Sequence, residues 1–495
     1  MSRSLAVVSV PSIRTARFLV SSRAFARIRE RHDVLIMSPF HAPAFKQEFG
    51  GERVRFFDFD VRELASGRLW ARAYGASEML RFVGYYRRFR NTGLRLQESM
   101  WVTWIYGRNG DDRRRSLRQR VILRALGVLG RHRKAWRTFD RLAGSWFYSV
   151  PLARLRRETD GYDHVVVLHG ANFGEQERFL NYAARRLGFR QVLVPYTTDQ
   201  LSVNGYVIGD YAHVLAQGPC ETDFAHRIQR VPEKNVASIG SIWFRNIEAS
   251  LERQGLRRPP SAGRDTTRIL YVGHSSLYFP RSNEFAALDA LLAAMASGAL
   301  PAGHLTYRPL LDEPQELAEI QARYGSNPRV SVQVPQSACI GMTEFDGPAI
   351  SDQIDEYVRQ LAETDIVVMS QVTTLCFDSL LIGRPVVSNV TDFTGTLARR
   401  RYSDYLDDDI YGLRRAGLPV VSSLPELIDT VAAVVSGNRD VTAFRDAALR
   451  DWDYAPPDWV ERLMATLEPP GTAAATTARP LQAASGLPDT YTPRT

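Results

Sequence analysis

The feature that most constrains the fold is an alternation of short apolar runs with helical stretches, which occurs twice along the chain. Runs of strand length in the first half include LAVVSV, DVLIMSP, RVRFFDFD, YDHVVVLHG, QVLVPY and AHVLAQG. Those in the second half include RILYVG, HLTYRP, RVSVQVP, DIVVMS and RPVVSNV. Segments with helical spacing of apolar residues separate most of them. Because strand, helix, strand repeats imply right-handed crossovers, the pattern predicts an α/β protein with parallel sheets.

The alternation is interrupted at a stretch that disfavours regular structure. LERQGLRRPPSAGRDTT is charged and contains Pro259 and Pro260, whose rings oppose both helix and sheet. We therefore predict two doubly wound, Rossmann-like parallel-sheet domains facing a cleft, an N-terminal one over residues 1–255 and a C-terminal one over 265–467. Residues 468–495 are rich in Ala, Thr and Pro and are predicted to be a disordered tail.

Residues 61–160 break the rhythm of the N-terminal domain. They hold 23 Lys plus Arg against 8 Asp plus Glu, a charge of +15, so the rest of the +9 chain carries −6. Aromatic and aliphatic residues recur there at helical spacing, and RRRSLRQRVILRALGVLGRHRKAW is the most basic and amphipathic part. This predicts a helical insertion. An arginine-rich amphipathic surface is attracted to anionic lipid headgroups, so a peripheral membrane contact through 61–160 is one interpretation.

Composition and motifs exclude several classes of protein. Hydrophobic residues make up 44% of the chain and charged residues 24%, which excludes a wholly disordered or collagenous protein. Cys220, Cys339 and Cys376 are too far apart for a disulfide framework or a zinc cluster. We expect a cytoplasmic protein without a signal peptide or membrane span, with the inner face of the plasma membrane as the place of any peripheral contact. No dinucleotide, Walker or HExxH motif occurs, and the acidic run at 407–409 is more typical of a solvated turn than of a metal site. The sequence therefore predicts neither a bound cofactor nor a metal.

Ligands of open α/β sheets bind beyond the carboxyl ends of the strands, so polar residues at those positions are the candidate binding residues. In the C-terminal domain these are Gly273, His274, Ser275 and Ser276 after ILYV, Arg308 after HLTY, and Ser370, Thr373 and Thr374 after DIVVM. Thr373 and Thr374 open a predicted helix, whose free backbone N–H groups suit a phosphate. Asp378 lies one turn further on and suits a sugar or ribose hydroxyl pair. The alternatives are that Thr373 caps the helix, that Asp378 is solvated, and that Arg308 is an exposed surface arginine.

The segment TDIVVMSQVTTLCFDSLLIGRPVVSNV resembles the donor-site strand, turn and helix of GT-B glycosyltransferases. Its nearest likeness is to the CDP-glycerol glycerophosphotransferases and UDP-N-acetylglucosamine 2-epimerases of surface-polysaccharide synthesis. The matching positions are Ser370, Thr373, Thr374, Gly383, Arg384 and Pro385, with Asp378 where these families usually have Glu. HLTYRP is similar to the strand that places a cation near the donor phosphates, a role that would fall to Arg308 as a bidentate clamp. The resemblance implies a GT-B fold and a nucleotide-activated donor substrate.

Candidate bases for an acceptor hydroxyl lie in the N-terminal domain. HGANFGEQE follows the strand VVVL and contains His169 and Glu175, while Asp199 follows the strand QVLVPY. A histidine or a carboxylate beside a cleft can take a proton from a hydroxyl group. The alternative for Glu175 is that it helps to cap a helix together with Asn172.

Three functions are compatible with these observations. The first is a metal-independent GT-B-type transferase that moves a sugar or polyol phosphate from a nucleotide-activated donor to a polysaccharide, lipid-linked or natural-product acceptor. A UDP-sugar 2-epimerase or hydrolase of the same fold is the second, and it gives the insertion no role. The third, a basic nucleic-acid-binding protein, lacks support from any nucleic-acid module signature, so we expect no nucleic-acid partner.

Overall fold

The computed structural model divides into two compact units. The first comprises Met1–Trp243, Thr343–Ala349 and Asp451–Thr495, and the second Phe244–Met342 and Ile350–Arg450. The residues described are 3–39, 43–59, 69, 73–78, 80–81, 125, 128, 133–172, 174–197, 200–201, 206–256, 266–274, 276, 280–311, 314–334, 349–370, 372–391, 413, 417–452 and 456–469.

The first unit is built on a seven-stranded sheet with the order β3-β2-β1-β4-β5-β6-β7. All of its strand pairs are parallel. The strands are β1 Ser4–Ser9, β2 Asp33–Ser38, β3 Val54–Asp58, β4 His164–His169, β5 Arg190–Leu193, β6 His213–Ala216 and β7 Val236–Ser238. Five of the six residues of β1, β2 and β4 are buried, as expected for strands covered on both faces.

Helices cover both sides of this sheet. They are α1 Ile13–Thr15, α2 Arg23–Arg31, α3 Pro43–Phe49, α4 Arg133–Phe147, α5 Ser149–Thr159, α6 Glu175–Leu187 and α7 Pro219–Asp223. Between 61 and 160, residues 73–78 and 80–81 are helical in addition to α4 and α5, as the predicted insertion requires. Most of its basic stretch RRRSLRQRVILRALGVLGRHRKAW lies outside the described residues. Within the described ranges, no helix has both the length and the apolar character needed to cross a membrane.

The second unit repeats the design with a six-stranded sheet in the order β10-β9-β8-β11-β12-β13. Its strands are β8 Thr267–Val272, β9 Gly303–Arg308, β10 Val330–Val332, β11 Ile366–Met369, β12 Val386–Asn389 and β13 Val420–Val421, all paired in parallel. Its helices are α8 Ile242–Gln254, which begins in the first unit, α9 Arg281–Ser297, α10 Pro314–Tyr324, α11 Ile350–Glu363, α12 Thr374–Ile382, α13 Leu424–Val435 and α14 Thr442–Trp452, whose last two residues belong to the first unit. Two doubly wound parallel sheets are therefore present, which confirms the predicted fold class.

The last helix of the described chain, α15 Trp459–Leu467, belongs to the first unit. Its inner residues Leu463, Met464 and Leu467 are fully buried, and Arg31 of α2 donates a hydrogen bond of 3.2 Å to Glu461. The sequence assigned residues up to 467 to the C-terminal domain, because nothing local distinguishes a helix that packs on its own domain from one that packs on another.

Candidate functional site

In the second unit, three candidate residues meet at adjacent strand ends. Val272 of β8 pairs with Arg308 of β9 on one side and with Met369 of β11 on the other. Gly273 and Ser370, the next residues, therefore flank the same edge as Arg308, with strands about 4.8 Å apart. Because the strand order reverses between β8 and β11, this edge is the topological switch point of the sheet, where open α/β sheets bind ligands.

Arg308 is the cation of this edge. Its guanidinium carbon lies 5.1 Å from the centre of the Tyr357 ring, a cation–π contact. Burial lowers the pKa of Arg308, while Tyr357 and Asp378 oppose that shift. Among the described residues, no carboxylate lies within salt-bridge distance of it. Arg308 is thus half-buried and lies against an aromatic face, which differs from an ordinary exposed arginine.

The helix α12 carries the predicted hydroxyl and carboxylate residues, and the structure gives several of them local partners. Thr373 caps the helix, with its side-chain oxygen 3.4 Å from the backbone N of Leu375, as the capping alternative proposed. Thr374 is the first helical residue and is half-buried. Asp378 is buried rather than solvated and accepts a 2.5 Å hydrogen bond from the Tyr357 hydroxyl. The carboxylate thereby fixes the aromatic ring on which Arg308 rests.

Ser370 takes part in a buried hydrogen-bond chain behind the edge. Its hydroxyl lies 2.7 Å from that of Tyr271, which also accepts from Asn389 at 3.3 Å. Burial raises the pKa of Tyr271 well above its usual range, so this phenol stays protonated. Ser370 therefore helps to align the ends of β8, β11 and β12.

Glu284 of α9, which the sequence analysis missed, organises the loop after β8. Its carboxylate accepts from the backbone N of His274 at 2.7 Å, from Arg281 at 3.1 Å, and from the Tyr307 hydroxyl. A Cβ on Gly273 would lie 2.5 Å from Glu284 Oε2, so a side chain there would displace this carboxylate. Arg281 is paired with this buried carboxylate.

The remaining candidate residues of this loop are His274, Ser275 and Ser276. His274 is buried and its Nδ1 lies 3.0 Å from Glu284 Oε1, so its ring faces inward. Ser276 lies in a half-buried turn, and Ser275 lies outside the described residues. The spacing of Arg281 and Glu284, three residues apart on a predicted helix, is the local signal that could have identified the pair.

In the first unit, His169 ends β4 and is fully buried. Its Nδ1 lies 2.5 Å from Glu177 Oε2, and its Nε2 lies 3.2 Å from Gln191 Oε1. Glu177 also accepts a 2.8 Å hydrogen bond from Ser9, at the end of the neighbouring β1. Both ring nitrogens of His169 are thus occupied by protein groups, so the ring links β4 to β5 and, through Glu177 of α6, to the end of β1 rather than presenting a base to a substrate.

Glu175 is the first residue of α6 and follows Gly174, whose φ of +103° belongs to the region that favours glycine. Burial raises the pKa of Glu175 to about 7, against the opposing influence of Arg178. A carboxyl with this pKa can both accept and return a proton at neutral pH. Glu175 is therefore the better of the two described candidate bases; Asp199 lies outside the described residues.

A buried ionic cluster joins the insertion to α6. Arg178 bonds to Asp140 of α4 at 2.9 Å and to Glu78, and Arg81 bonds to Glu78 at 2.9 Å. Burial alone would raise the pKa of Glu78, but Arg178 and Arg81 outweigh it and hold that pKa below its usual range. Removing one member of such a cluster strands a buried charge, at a cost of about 3–5 kcal/mol.

Arg81 also supports the loop that carries the candidate base. Its guanidinium donates to the backbone carbonyl of Tyr206 at 2.7 Å and to that of Asn172 at 3.4 Å. Asn172 in turn donates from its side chain to the carbonyl of Gln200 at 2.8 Å. The insertion therefore braces the loops at the carboxyl ends of β4 and β5. The sequence contained no signal for these contacts, because Asn172 and Tyr206 follow Arg81 by 91 and 125 residues.

Comparison with known proteins yields structural neighbours alone. No family model matches the chain, and no curated protein matches it. A candidate UDP-N-acetylglucosamine 2-epimerase from Listeria monocytogenes superposes with a TM-score of 0.51 at 10% identity, covering 94% of this chain and 96% of the other. S. aureus MnaA in complex with UDP gives 0.48 at 9% identity, covering 94% and 95%, and the wall teichoic acid polymerase TagF gives 0.43 at 9% identity, covering 94% and 88%. With its two doubly wound sheets and the likeness to the Listeria protein, the chain has the GT-B fold.

Proposed function

We propose that this protein is a metal-independent GT-B-type glycosyltransferase. It transfers a sugar, or a polyol phosphate, from a nucleotide-activated donor to a polysaccharide, lipid-linked or natural-product acceptor. The observation that carries this proposal is Arg308, a half-buried guanidinium at the switch point that has an aromatic support and no carboxylate partner among the described residues. A site built to hold an anion needs such a cation.

In this proposal Arg308 clamps the donor phosphates bidentately, and the backbone N–H of Thr374 at the start of α12 adds a donor for the same anion. Gly273 lets the chain approach the ligand closely. The acceptor oxygen attacks the reacting carbon or phosphorus of the donor, the bond to the nucleotide breaks, and the departing phosphate keeps the electron pair. Arg308 stabilises that negative charge in place of a metal ion.

Glu175 takes the proton of the acceptor hydroxyl. Its pKa of about 7 leaves a large fraction ionised at neutral pH and makes the carboxylate basic enough for the transfer. His169 and Glu177 do not touch the substrate and hold the end of β4 from which the Glu175 loop departs.

The donor site is tested by titrating the protein with UDP, GDP, CDP and CMP and following the thermal unfolding midpoint. We expect one nucleotide family to stabilise the protein. Arg308→Ala should weaken the binding of that nucleotide by roughly tenfold to a hundredfold, since a charge-assisted hydrogen bond contributes about 1.5–3 kcal/mol. Arg329→Ala, at an exposed arginine of the same unit, is the matched control. An unchanged affinity in Arg308→Ala, or no stabilising nucleotide, contradicts the assignment.

A second candidate is a UDP-sugar 2-epimerase or hydrolase, favoured by the likeness to the Listeria protein. Such an enzyme converts its sugar nucleotide without an acceptor. Incubation with UDP-N-acetylglucosamine alone, followed by NMR, separates the two functions, because a transferase leaves the sugar nucleotide unchanged until an acceptor is added. Chelation with EDTA should leave either activity unaltered if Arg308 supplies the charge.

A further inference from the structure

An exposed apolar stripe runs along α4 and α5. The two helices are nearly continuous, since Tyr148 N bonds to Gly144 O at 3.0 Å and Leu152 N to Tyr148 O at 2.9 Å across their junction. Leu142, Trp146 and Val150 follow at intervals of four residues, the spacing of one helical face. Their exposed fractions are 62%, 81% and 59%.

The opposite face of these helices is anchored in the first unit. Trp136 and Leu155 are fully buried, and Tyr148 packs on Phe179 and Tyr182 of α6 with ring centres 5.5 Å apart. The side that faces the core is therefore occupied, and the stripe points away from it. Packing of the buried face of α4 and α5 in the first unit therefore fixes the orientation of the stripe.

The concentration of exposed apolar side chains in this part of the chain is unusual. Six large apolar side chains stand out as exposed among the described residues, and five of them belong to the insertion, with Val334 of the second unit as the sixth. Single exposed apolar residues need no explanation, whereas a contiguous group on one face marks an interaction site.

Basic side chains border the stripe. Lys134, Arg141 and Arg157 are exposed, and no described carboxylate pairs with any of them. Lys134 precedes Leu142 by two four-residue steps, and Arg157 follows Val150 by seven residues, so both lie near the same face. The insertion as a whole carries +15 in a chain of +9. The partner of this surface must therefore be apolar within and anionic at its boundary.

We propose that the stripe of Leu142, Trp146 and Val150 docks on an anionic lipid bilayer. The indole of Trp146 enters the headgroup layer, where its apolar ring and its N–H group are both accommodated. Leu142 and Val150 bury apolar area at the acyl boundary, and the basic border meets the lipid phosphates. Aliphatic side chains offer nothing to the bases or phosphates of a nucleic acid, which favours lipid over that alternative. This surface is independent of the proposed donor site.

Vesicle flotation with the full chain tests the proposal. Vesicles of phosphatidylglycerol mixed with phosphatidylcholine are compared with pure phosphatidylcholine at physiological salt, with single-stranded RNA as a separate ligand. We expect binding to the anionic vesicles. Combined Leu142→Ser, Trp146→Ser and Val150→Ser should reduce it by about tenfold or more, because insertion depends on the buried apolar area. Lys134→Glu with Arg141→Glu should weaken binding and reduce its salt dependence.

Val334→Ser, at the exposed apolar residue of the second unit, is the matched control and should bind like the wild type. All variants alter exposed side chains, so their unfolding midpoints should match that of the wild type. The proposal is overturned by absence of wild-type binding to anionic vesicles, by unchanged binding of the triple variant, or by RNA binding without vesicle binding.

Discussion

Glu175 connects the local electrostatics to a measurable pH dependence. If this carboxyl is the base, it must be ionised to act, and its pKa is raised to about 7 by burial. Turnover should then fall as the pH decreases through about 7. Glu175→Gln should lower turnover by about a hundredfold or more and remove this acid limb. The measurement is the pH–rate profile with the donor identified by nucleotide titration.

The control for that variant is Glu252→Gln, at an exposed carboxylate of α8. It should leave the profile unchanged. A Glu175→Gln protein that retains both the rate and the acid limb would assign the base elsewhere, with Asp199 as the next candidate.

The same raised pKa predicts an effect on stability. The folded protein binds the Glu175 proton more tightly than the unfolded chain, whose carboxyl has its ordinary pKa of 4.5. The stability due to this proton is fully present below pH 4.5 and is lost as the pH rises through about 7. Glu175→Gln should therefore gain stability relative to the wild type between mildly acidic and mildly basic pH. Thermal unfolding across that range measures the gain, and a pH-independent difference would contradict the shifted pKa.

Gly273 tests the role of Glu284 in shaping the loop after β8. Gly273→Ala should destabilise the protein by about 1–3 kcal/mol, since the new methyl group would press on the buried Glu284 carboxylate. Urea unfolding gives the change in the free energy of unfolding. In a Glu284→Ala background the added cost of Gly273→Ala should shrink, because the contacting atoms are gone. An equal cost in both backgrounds would show that another neighbour resists the methyl group.

The positions of several candidate residues at strand and helix ends could be predicted from the sequence, but their contacts could not. Arg308 was predicted from its position after a strand, and the register places it beside Val272 of β8, next to the switch point. Thr373, in contrast, caps a helix, and Arg281 is paired with Glu284. The type of a polar residue indicates which bonds it can form. Whether a protein partner already occupies it depends on residues that are distant in sequence, as with Tyr357 and Asp378.

At the scale of elements, the strands were the most predictable part of the fold. Buried parallel strands are continuous apolar runs, so the runs YDHVVVLHG and DIVVMS contain β4 and β11. The apolar stretch VASIGSI at 236–242 is longer than β7, which ends at Ser238 because Gly240 takes a φ of +78° and α8 starts at Ile242. The two-residue β13 was missed, since two residues carry no periodicity.

The close approach of α4 and α6 depends on a small residue. A Cβ on Gly144 would lie 2.6 Å from the Tyr182 ring and 3.1 Å from that of Tyr148. Gly144→Ala should destabilise the protein by about 1–3 kcal/mol in thermal or urea unfolding. Gly75→Ala is the matched control, because it is also helical but has open space around its Cβ, and it should stabilise the fold by about 0.5–1 kcal/mol. Equal effects of the two substitutions would refute the close contact.

At the scale of the whole molecule, the basic residues of the insertion fall into a buried and an exposed group. The sequence divided the charge into +15 for the insertion and −6 for the remainder and attributed the excess to a partner. Arg81 does not belong to that excess, because it is fully buried against Glu78 and backbone carbonyls. Exposed residues such as Arg141 and Arg157 remain for a partner. Composition cannot separate the two groups, since burial depends on the tertiary fold.

The end of α14 and helix α15 pack in the first unit, although they follow the second unit in sequence. His164 lies 2.9 Å from the carbonyl of Leu467, and the buried Trp452 packs near Phe224 with ring centres 6.1 Å apart. Deletion of residues 459–495 should expose α2, and hydrogen exchange of α2 amides should accelerate by tenfold or more, since about 1.4 kcal/mol corresponds to tenfold. Deletion of 470–495 alone, a segment with almost no large apolar residue, should leave exchange unchanged. Equal exchange in the two truncations would contradict the role of α15.

The packing of α15 in the first unit has a consequence for synthesis on the ribosome. The first unit cannot bury the outer surface of α2 until α15 has been made, some 430 residues later. The outer surface of α2 therefore stays uncovered through translation of the whole second unit. Contacts of such long sequence separation slow folding. We expect the nascent chain to need chaperone protection until α15 has been made, so that the first unit closes only after the second unit has been translated.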